Sequence, residues 1–308
     1  MKTFWGILCG RSKIAATFVG GVESSQITRW SYDRQRHGQP LAVQFTCPEQ
    51  MRRLRSRWRV LAAAIHSCAT RDEGLFFDDV TIHLGDAVAP DEPDNVLAFS
   101  RWPGSRARLI PNPYLLQAPP RLPAPRPWDE KGDSLYFRGA STGASDYSEN
   151  ARVALCSVAR TIPRSDCKLS KLRQIDRRFA ARLAADALVA RPDHVARMND
   201  HRFLADVDGN ASSWDRYRLV GMFGGVPIRF ETAWEECWHD ALVEGHNWIR
   251  ADRDTLPHVI ARLRGDEEEA RRIARNASLL AATRLTPAAM EAFLGRVLTS
   301  ATPASGSI

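Results

Sequence analysis

The sequence predicts an α/β protein built as two domains. Three observations predict it. Short apolar and β-branched runs alternate with stretches of helical period, the pattern of parallel sheets covered by helices on both faces. The 308 residues exceed what one core usually serves. A proline-dense stretch, QAPPRLPAPRPW (117–128), fits neither helix nor central strand and reads as an interdomain linker. Domains at 1–120 and 121–300 follow, with 301–308 as a disordered tail.

FWGILCG is short for a signal-peptide core and reads as a first strand. MRRLRSRWRVLAAAIHSCA (51–69) reads as an amphipathic helix with a basic flank. FFDDVTIHLGD (76–86) runs into a Gly-Asp turn and reads as a strand, as does NVLAFSRW (95–102). LIPNPYLL (109–116) is extended, because each proline biases its predecessor away from helix. Beyond the linker, 133–142 is a strand ending in a Gly/Ser/Thr loop. Residues 148–160 form a helix with Ser148 as N-cap. Residues 171–189 are helical, 201–209 strand and turn, 212–224 helix, and 225–231 strand. Residues 232–242 are loop and helix, and 246–252 strand. Helices span 255–285, broken at Gly265, and 286–300.

Composition is that of a globular protein, with 44% hydrophobic and 26% charged residues. The net charge is +7, and nearly all 43 basic residues are arginines. Arginine suits phosphate-bearing partners: nucleotides, nucleic acid or anionic lipid. A compositional bias toward arginine and alanine gives the same balance without a ligand. The basic helix 51–69 allows contact with anionic lipid or a phosphorylated sugar, or a solvated arginine face. Cys9, Cys47, Cys68, Cys156, Cys167 and Cys237 show no metal-ligand spacing and read as reduced, mostly buried thiols of a cytoplasmic protein. No stretch reads as a transmembrane helix.

Ligands of open α/β sheets sit at the carboxyl ends of strands, so the loops there carry the chemistry. The first runs Arg138-Gly139-Ala140-Ser141-Thr142-Gly143, with Arg152 in the helix beyond it. A forked cation, hydroxyls and a glycine that admits a close approach suit a phosphate. The second loop is ADVDGNASS (205–213). It is no calcium hand, since in a loop starting at Asp206 glycine falls fourth rather than sixth. Asp206 and Asp208 form a DxD pair that suits a divalent cation on a nucleotide diphosphate. Alternatively Gly209, Asn210, Ser212 and Ser213 open the next helix, whose unpaired amides face an anion. A plain strand-to-helix turn with Ser212 as cap remains a third reading. The histidines lack zinc spacing, and neither a nucleophile elbow nor a P-loop is present.

Taken together, SLYFRGAST, FLADVDGNASSWDRYRLV, GVPIRFETAWEECWH, HNWIRADRDTLPHVI and GDEEEARRIARNAS resemble glycosyltransferase family ninety over about residues 128–296. This is the capsule-associated-protein type, which includes protein O-glucosyltransferases and lipopolysaccharide core transferases. The resemblance implies a GT-B-like α/β fold, two Rossmann-like domains facing a cleft. It implies a UDP-sugar donor, inversion at the anomeric carbon, and no metal or other cofactor. It implies a catalytic aspartate in the first domain, for which Asp86 in IHLGDAVAP is the matching position; Asp78, Asp79, Asp91 and Asp94 lie nearby. Arg138, Gly139, Ser141, Thr142 and Arg152 would line the nucleotide-sugar pocket. Asn210, Ala211, Ser212 and Ser213 would meet the diphosphate, with Asp206, Asp208 and Gly209 shaping the loop. Glu231 and Trp234 would approach the ribose or base. Eukaryotic members carry an arginine where this chain has Asp215, and the adjacent Arg216 is the candidate replacement.

The chemistry agrees with that resemblance. A carboxylate takes the proton of an attacking hydroxyl. Arginine and backbone amides hold the charge growing on the leaving diphosphate. The expected protein is therefore a cytoplasmic transferase, with possible contact at the inner membrane face, acting on a saccharide such as a lipopolysaccharide core. The rivals are a nucleic-acid-binding protein, against which the arginines are dispersed and no such motif appears, and a family member that binds nucleotide sugar without catalysis.

Overall fold

The computed structural model describes residues 3–7, 13–18, 27–32, 42–45, 48–71, 77–86 and 96–301. The expectations on Cys9, Cys47, Asp91, Asp94 and the tail after Ala301 lie outside them, and the side chains of Asp78 and Asp79 are likewise not described. The fold is mixed α/β. The chain divides into two compact units, one of Met1–Ala118, Glu235–Cys237 and Thr286–Ile308, the other of Pro119–Trp234 and Trp238–Leu285. The first unit is thus discontinuous, where the sequence suggested contiguous halves. Its last helix returns because Leu294 and Leu298, four apart and fully buried, give the helix an apolar face.

The first unit holds a seven-stranded sheet in the order β1-β2-β4-β3-β5-β6-β7. Its strands are β1 (Thr3–Ile7), β2 (Lys13–Phe18), β3 (Ile27–Tyr32), β4 (Ala42–Phe45), β5 (Phe77–His83), β6 (Val96–Ala98) and β7 (Arg108–Leu109). The parallel sheet expected here is a mixed one: β3 runs antiparallel to β4 and β5, and β1 antiparallel to β2. Strands β2 and β4 are parallel, and β5, β6 and β7 form a parallel run at the edge. Helix α1 (Pro48–Arg71) packs on α7 (Pro287–Ala301), and buried Leu61 and Ile65 mark its apolar face.

The second unit holds an all-parallel sheet, β12-β11-β10-β8-β9. Here β8 is Gly132–Ala140, β9 Ser165–Lys171, β10 His201–Val207, β11 Val226–Phe230 and β12 Ile249–Ala251. Side chains alternate between faces. Leu135, Phe137, Phe203, Ala205 and Val207 join a core with residues of α2 (Ala151–Ala159), α3 (Arg177–Ala185) and α5 (Leu256–Gly265). Tyr136 and Leu204 point the other way, toward Leu219, Val220 and Phe223 at α4 (Arg216–Met222). Helix α6 (Glu267–Arg284) crosses α4 at Gly221, where a Cβ would lie 2.6 Å from that of Ala281.

Several expected boundaries move. Ser148 is not the cap of α2: its amide and hydroxyl both bond to Asp146, and Asn150 accepts from Arg152 N and Val153 N instead. The helix expected at 171–189 is α3 alone, begun by Asp176 accepting from Phe179 N at 2.7 Å. Residues 171 and before belong to β9, a strand the sequence reading did not find. Of the helix expected within 232–242, only a 3₁₀ turn at His239–Ala241 forms.

Candidate functional site

The strand order fixes where a ligand is expected. From β8 the chain moves outward to β9, then returns past β8 to β10, β11 and β12. The order is that of a doubly wound sheet whose direction reverses between its first and third strands, and crevices for ligands form at the carboxyl ends there. A cavity of about 390 Å³ lies at that place. Arg138, Gly139 and Ala140 from the end of β8 line it, with Ser170 and Lys171 from β9. Pro192–Val195 and Met198 form another wall, and Ser213, Asp215, Arg216 and Leu219 close it from α4 and the loop before it.

Two arginines face this cavity, and they differ. Arg138 is spent on protein: its Nη2 lies 2.8 Å from Asp166 Oδ2, its Nε 3.5 Å from Asp193 Oδ2, and its Nη1 donates to the carbonyls of Phe137 and Asp166. Arg216 has no carboxylate within 4 Å among the described residues. Its Nη2 donates to Arg138 O at 2.9 Å, and its guanidinium lies 4.8 Å from the centre of the Phe137 ring. Burial holds its pKa below the usual arginine value. A largely desolvated cation supported by a ring face and one carbonyl retains donors for an anion.

Gly139 lines the cavity and also makes this arrangement possible. A Cβ there would meet the Phe137 ring at 2.6 Å, so the glycine lets that ring lie over the strand end.

Arg152 is the clearest departure from expectation. It does not line the cavity. Its Nε donates to Asp208 O at 3.0 Å, and its Nη1 donates to Ala140 O at 3.0 Å and Thr142 Oγ1 at 2.8 Å. It ties the loop after β8 to the loop after β10. Burial and the repulsion of Arg216 lower its pKa to about 10. Gly209 admits it: a Cβ there would stand 2.7 Å from Arg152 Nη2 and from Thr142 Oγ1. Thr142 is therefore committed, and Ser141 also, its hydroxyl donating to Arg173 O and accepting from Arg173 N.

The loop after β10 also differs from the amide cradle foreseen. Helix α4 starts at Arg216, after Asp215, not at Ser212. Ala211 and Ser212 are buried, and Asn210 Oδ1 accepts from Gly143 N at 3.1 Å. Ser213 lines the cavity while its hydroxyl donates to Asp206. Asp206 lies 3.5 Å from Arg229 Nε. Asp208 accepts from Ala233 N at 2.7 Å and Trp234 N at 3.2 Å through one oxygen, while its buried Oδ1 has no hydrogen-bond partner. Burial raises its pKa to about 6. Among the described residues no group of three His, Cys, Asp or Glu side chains is gathered to hold a metal ion. Trp214 and Glu231 hold φ of 63° and 45° in the loops after β10 and β11. Such strain in bulky residues collects at ligand sites. Glu231 accepts from Arg253 Nε at 2.9 Å, and neither Glu231 nor Trp234 lines the cavity.

Tyr136, Lys171, Asp193 and His194 line the cavity and escaped the sequence reading. Asp193 accepts from the Tyr136 hydroxyl at 3.2 Å. His194 Nδ1 accepts from Ala196 N at 3.2 Å, opening the 3₁₀ turn Val195–Asp200. The signal for Lys171 was the period-two pattern of SDCKLSK, in which Cys167 and Leu169 are buried.

In the first unit, Asp86 lies three residues past β5. Its Oδ1 is 2.5 Å from Arg57 Nη2, and Arg57 also donates to Leu84 O at 2.9 Å. Next to it, burial and then the Arg57 charge push the His83 pKa down to about 4. Cys68, Cys156, Cys167 and Cys237 are buried thiols. No helix of the described residues is long and apolar enough to cross a membrane.

No protein family matches the sequence, and no curated protein is detectably similar to it. Solved structures do show likeness at low identity. Anabaena HepE, solved with UDP-glucose, is 13% identical, with 55% of this chain and 49% of that one covered and a TM-score of 0.39. For TarM of S. aureus, solved with UDP among its ligands, the values are 7%, 67%, 40% and 0.43. For sucrose-phosphate synthase of Thermosynechococcus elongatus they are 15%, 56%, 45% and 0.39. The chain spans half or less of each of these proteins. At this level the functional reading rests on the site's own residues.

Proposed function

We propose that the protein is a UDP-sugar-dependent glycosyltransferase whose second unit holds the donor in the cavity at the sheet's switch point. The observation that carries this reading is Arg216: a half-buried guanidinium with no carboxylate within ion-pair distance among the described residues, facing a crevice at the carboxyl ends of a doubly wound parallel sheet. The donor diphosphate lies against Arg216 and Lys171. Tyr136, Val195, Met198 and Leu219 give the same cavity an apolar wall for the rest of the nucleotide. As the sugar departs, the charge growing on the diphosphate is met by cations already in place, which is the preorganised stabilisation that lowers such barriers. Asp86 of the first unit takes the proton of the acceptor hydroxyl, which attacks with inversion. The acceptor is a saccharide of the lipopolysaccharide-core kind, reached from the cytoplasm. No metal is required, because guanidinium and ammonium groups carry the diphosphate.

Calorimetric titration with UDP, and turnover of UDP-glucose with and without EDTA, test the proposal. Binding in the micromolar range and hydrolysis that survives EDTA are expected. Failure of UDP, UDP-glucose, UDP-xylose, UDP-galactose and UDP-glucuronate alike to bind would remove it.

A further inference from the structure

Ser213 lines the cavity of the second unit, on the same wall as Asp215 and Arg216. Its hydroxyl donates to Asp206 Oδ1. The fold dictates that direction. Asp206 shares the Leu204 face of β10, because side chains two apart on a strand point the same way. Arg229 on β11 is its register partner on the adjacent parallel strand. Both residues are buried, at 2% and 6% exposure, and Arg229 Nε lies 3.5 Å from Asp206 Oδ2. A carboxylate paired with a guanidinium accepts hydrogen bonds and has no proton to give. The Ser213 hydroxyl must therefore be the donor, and it has one hydrogen. What its oxygen can offer a ligand is lone pairs.

The cations on the cavity walls behave in the opposite sense. Arg216 and Lys171 donate and cannot accept. A diphosphate oxygen also carries only lone pairs, so it suits those cations and is repelled by a serine whose proton is already spent. Turning the hydroxyl toward phosphate would take a hydrogen bond away from the buried carboxylate of Asp206, which is costly. Asp215 on the same wall, 3.5 Å from Arg218 Nη2, is likewise an acceptor. The wall thus sorts a ligand by the sense of its hydrogen bonds: anionic oxygens toward Arg216 and Lys171, O–H groups toward Ser213.

We propose that Ser213 reads a hydroxyl of the bound nucleotide sugar, on its ribose or on the transferred sugar, by accepting a hydrogen bond from it. The diphosphate that the sequence pattern set against Ser213 belongs to Arg216 and Lys171 instead. The inference rests on the transferase reading and adds to it a residue that selects the donor.

Calorimetric titrations of the full chain and of its S213A and S213T variants test it, with UDP, 2′-deoxy-UDP, 3′-deoxy-UDP and UDP-glucose as probes. S213A should weaken binding of a probe that carries the read hydroxyl by about three- to tenfold, the worth of one neutral hydrogen bond. S213T, which keeps a hydroxyl, should recover most of that loss. A loss on UDP that vanishes with 2′-deoxy-UDP or 3′-deoxy-UDP assigns the hydroxyl to the ribose. A loss on UDP-glucose with UDP unaffected assigns it to the transferred sugar. Either pattern supports the inference, because a purely structural change would cost every probe alike. Equal loss across all the probes marks a phosphate contact or a structural role and overturns it, as does no loss with any. Those two results leave the transferase reading intact. If the wild-type chain binds none of the probes, the transferase reading itself fails, and the inference falls with it.

Discussion

Arg152 Nε donates to the carbonyl of Asp208 at 3.0 Å, joining residues from loops that follow two different strands. The same guanidinium reaches Ala140 O and Thr142 Oγ1, so one side chain sets the spacing of the switch-point loops. Gly209→Ala drives a Cβ into it, and the guanidinium and the Thr142 hydroxyl, bonded to each other, leave little room to yield. Each of Gly209→Ala and Arg152→Met should destabilise the second unit by roughly 2–4 kcal/mol, through overpacking in one case and unsatisfied carbonyls in the other. The double variant relieves the contact with the guanidinium while that with Thr142 Oγ1 stays, so its loss should fall short of the sum by about 1 kcal/mol. Urea unfolding of the four proteins checks this; strict additivity would mean the two residues do not meet.

Arg216 and Arg138 should separate in their effects. Arg216→Met removes the cation without a carboxylate partner, so UDP affinity should fall by roughly 10–100-fold, the loss of about one charge-assisted contact. Its effect on melting should be small, since only one hydrogen bond to Arg138 O is lost. Arg138→Met strips partners from Asp166 and Asp193 and should lower the melting temperature more than it lowers UDP affinity. Calorimetry and thermal melts on the two variants decide it, and equal loss of affinity in both would reject the assignment.

The contrast between those two arginines shows where the sequence was informative. Both are readable as cations at strand ends, from the position of LYFRG and SSWDRYR relative to apolar runs. Which one is spent is not readable, because Asp166 lies on β9, a strand the sequence reading did not find. Long periodic elements such as α1 and α6 were legible because one face is apolar throughout. The start of α4 was not, because Ser212 and Ser213 both look like caps. The chain instead makes a turn with Trp214 at positive φ before the helix begins. Arg152 looked like a ligand residue because local spacing says nothing of the carbonyls a folded loop turns inward.

Asp208 gives the second unit a pH signature. Its pKa is raised from 3.8 to about 6, by burial first, against the two amides that favour the carboxylate. The folded value lies above the unfolded one, so the folded state holds the extra proton between these pH values. Stability contributed by that proton is present below about pH 4 and is lost as pH rises through about 6. Asp208→Asn keeps an oxygen for Ala233 N and Trp234 N without a buried charge. It should be as stable as wild type or more so at pH 7.5, by up to about 2 kcal/mol, and should flatten the difference between pH 4 and 7. Urea midpoints across that range measure it, and a variant much weaker at pH 7.5 would show that the charge itself is needed.

Asp86 is the test of the proposed chemistry. Its carboxylate is about one-third exposed and bonded to Arg57, so Asp86→Asn loses a partly solvated ion pair worth no more than about 1 kcal/mol. The fold should therefore survive. A general base is worth roughly 10²–10⁴ in rate, and that is the fall in kcat expected for transfer from UDP-glucose to an oligosaccharide. The proposed UDP site is in the other unit, so UDP affinity should stay within about twofold of wild type, the mark of an interaction made only as the reaction proceeds. Arg57→Met serves as the control for the ion pair: it breaks the same contact while leaving the carboxylate in place. If Arg57→Met and Asp86→Asn lower kcat equally, Asp86 acts through its pair with Arg57, and the base must be sought elsewhere. If only Asp86→Asn does so, and the loss is in kcat rather than KM for the donor, the carboxylate is the group that takes the proton.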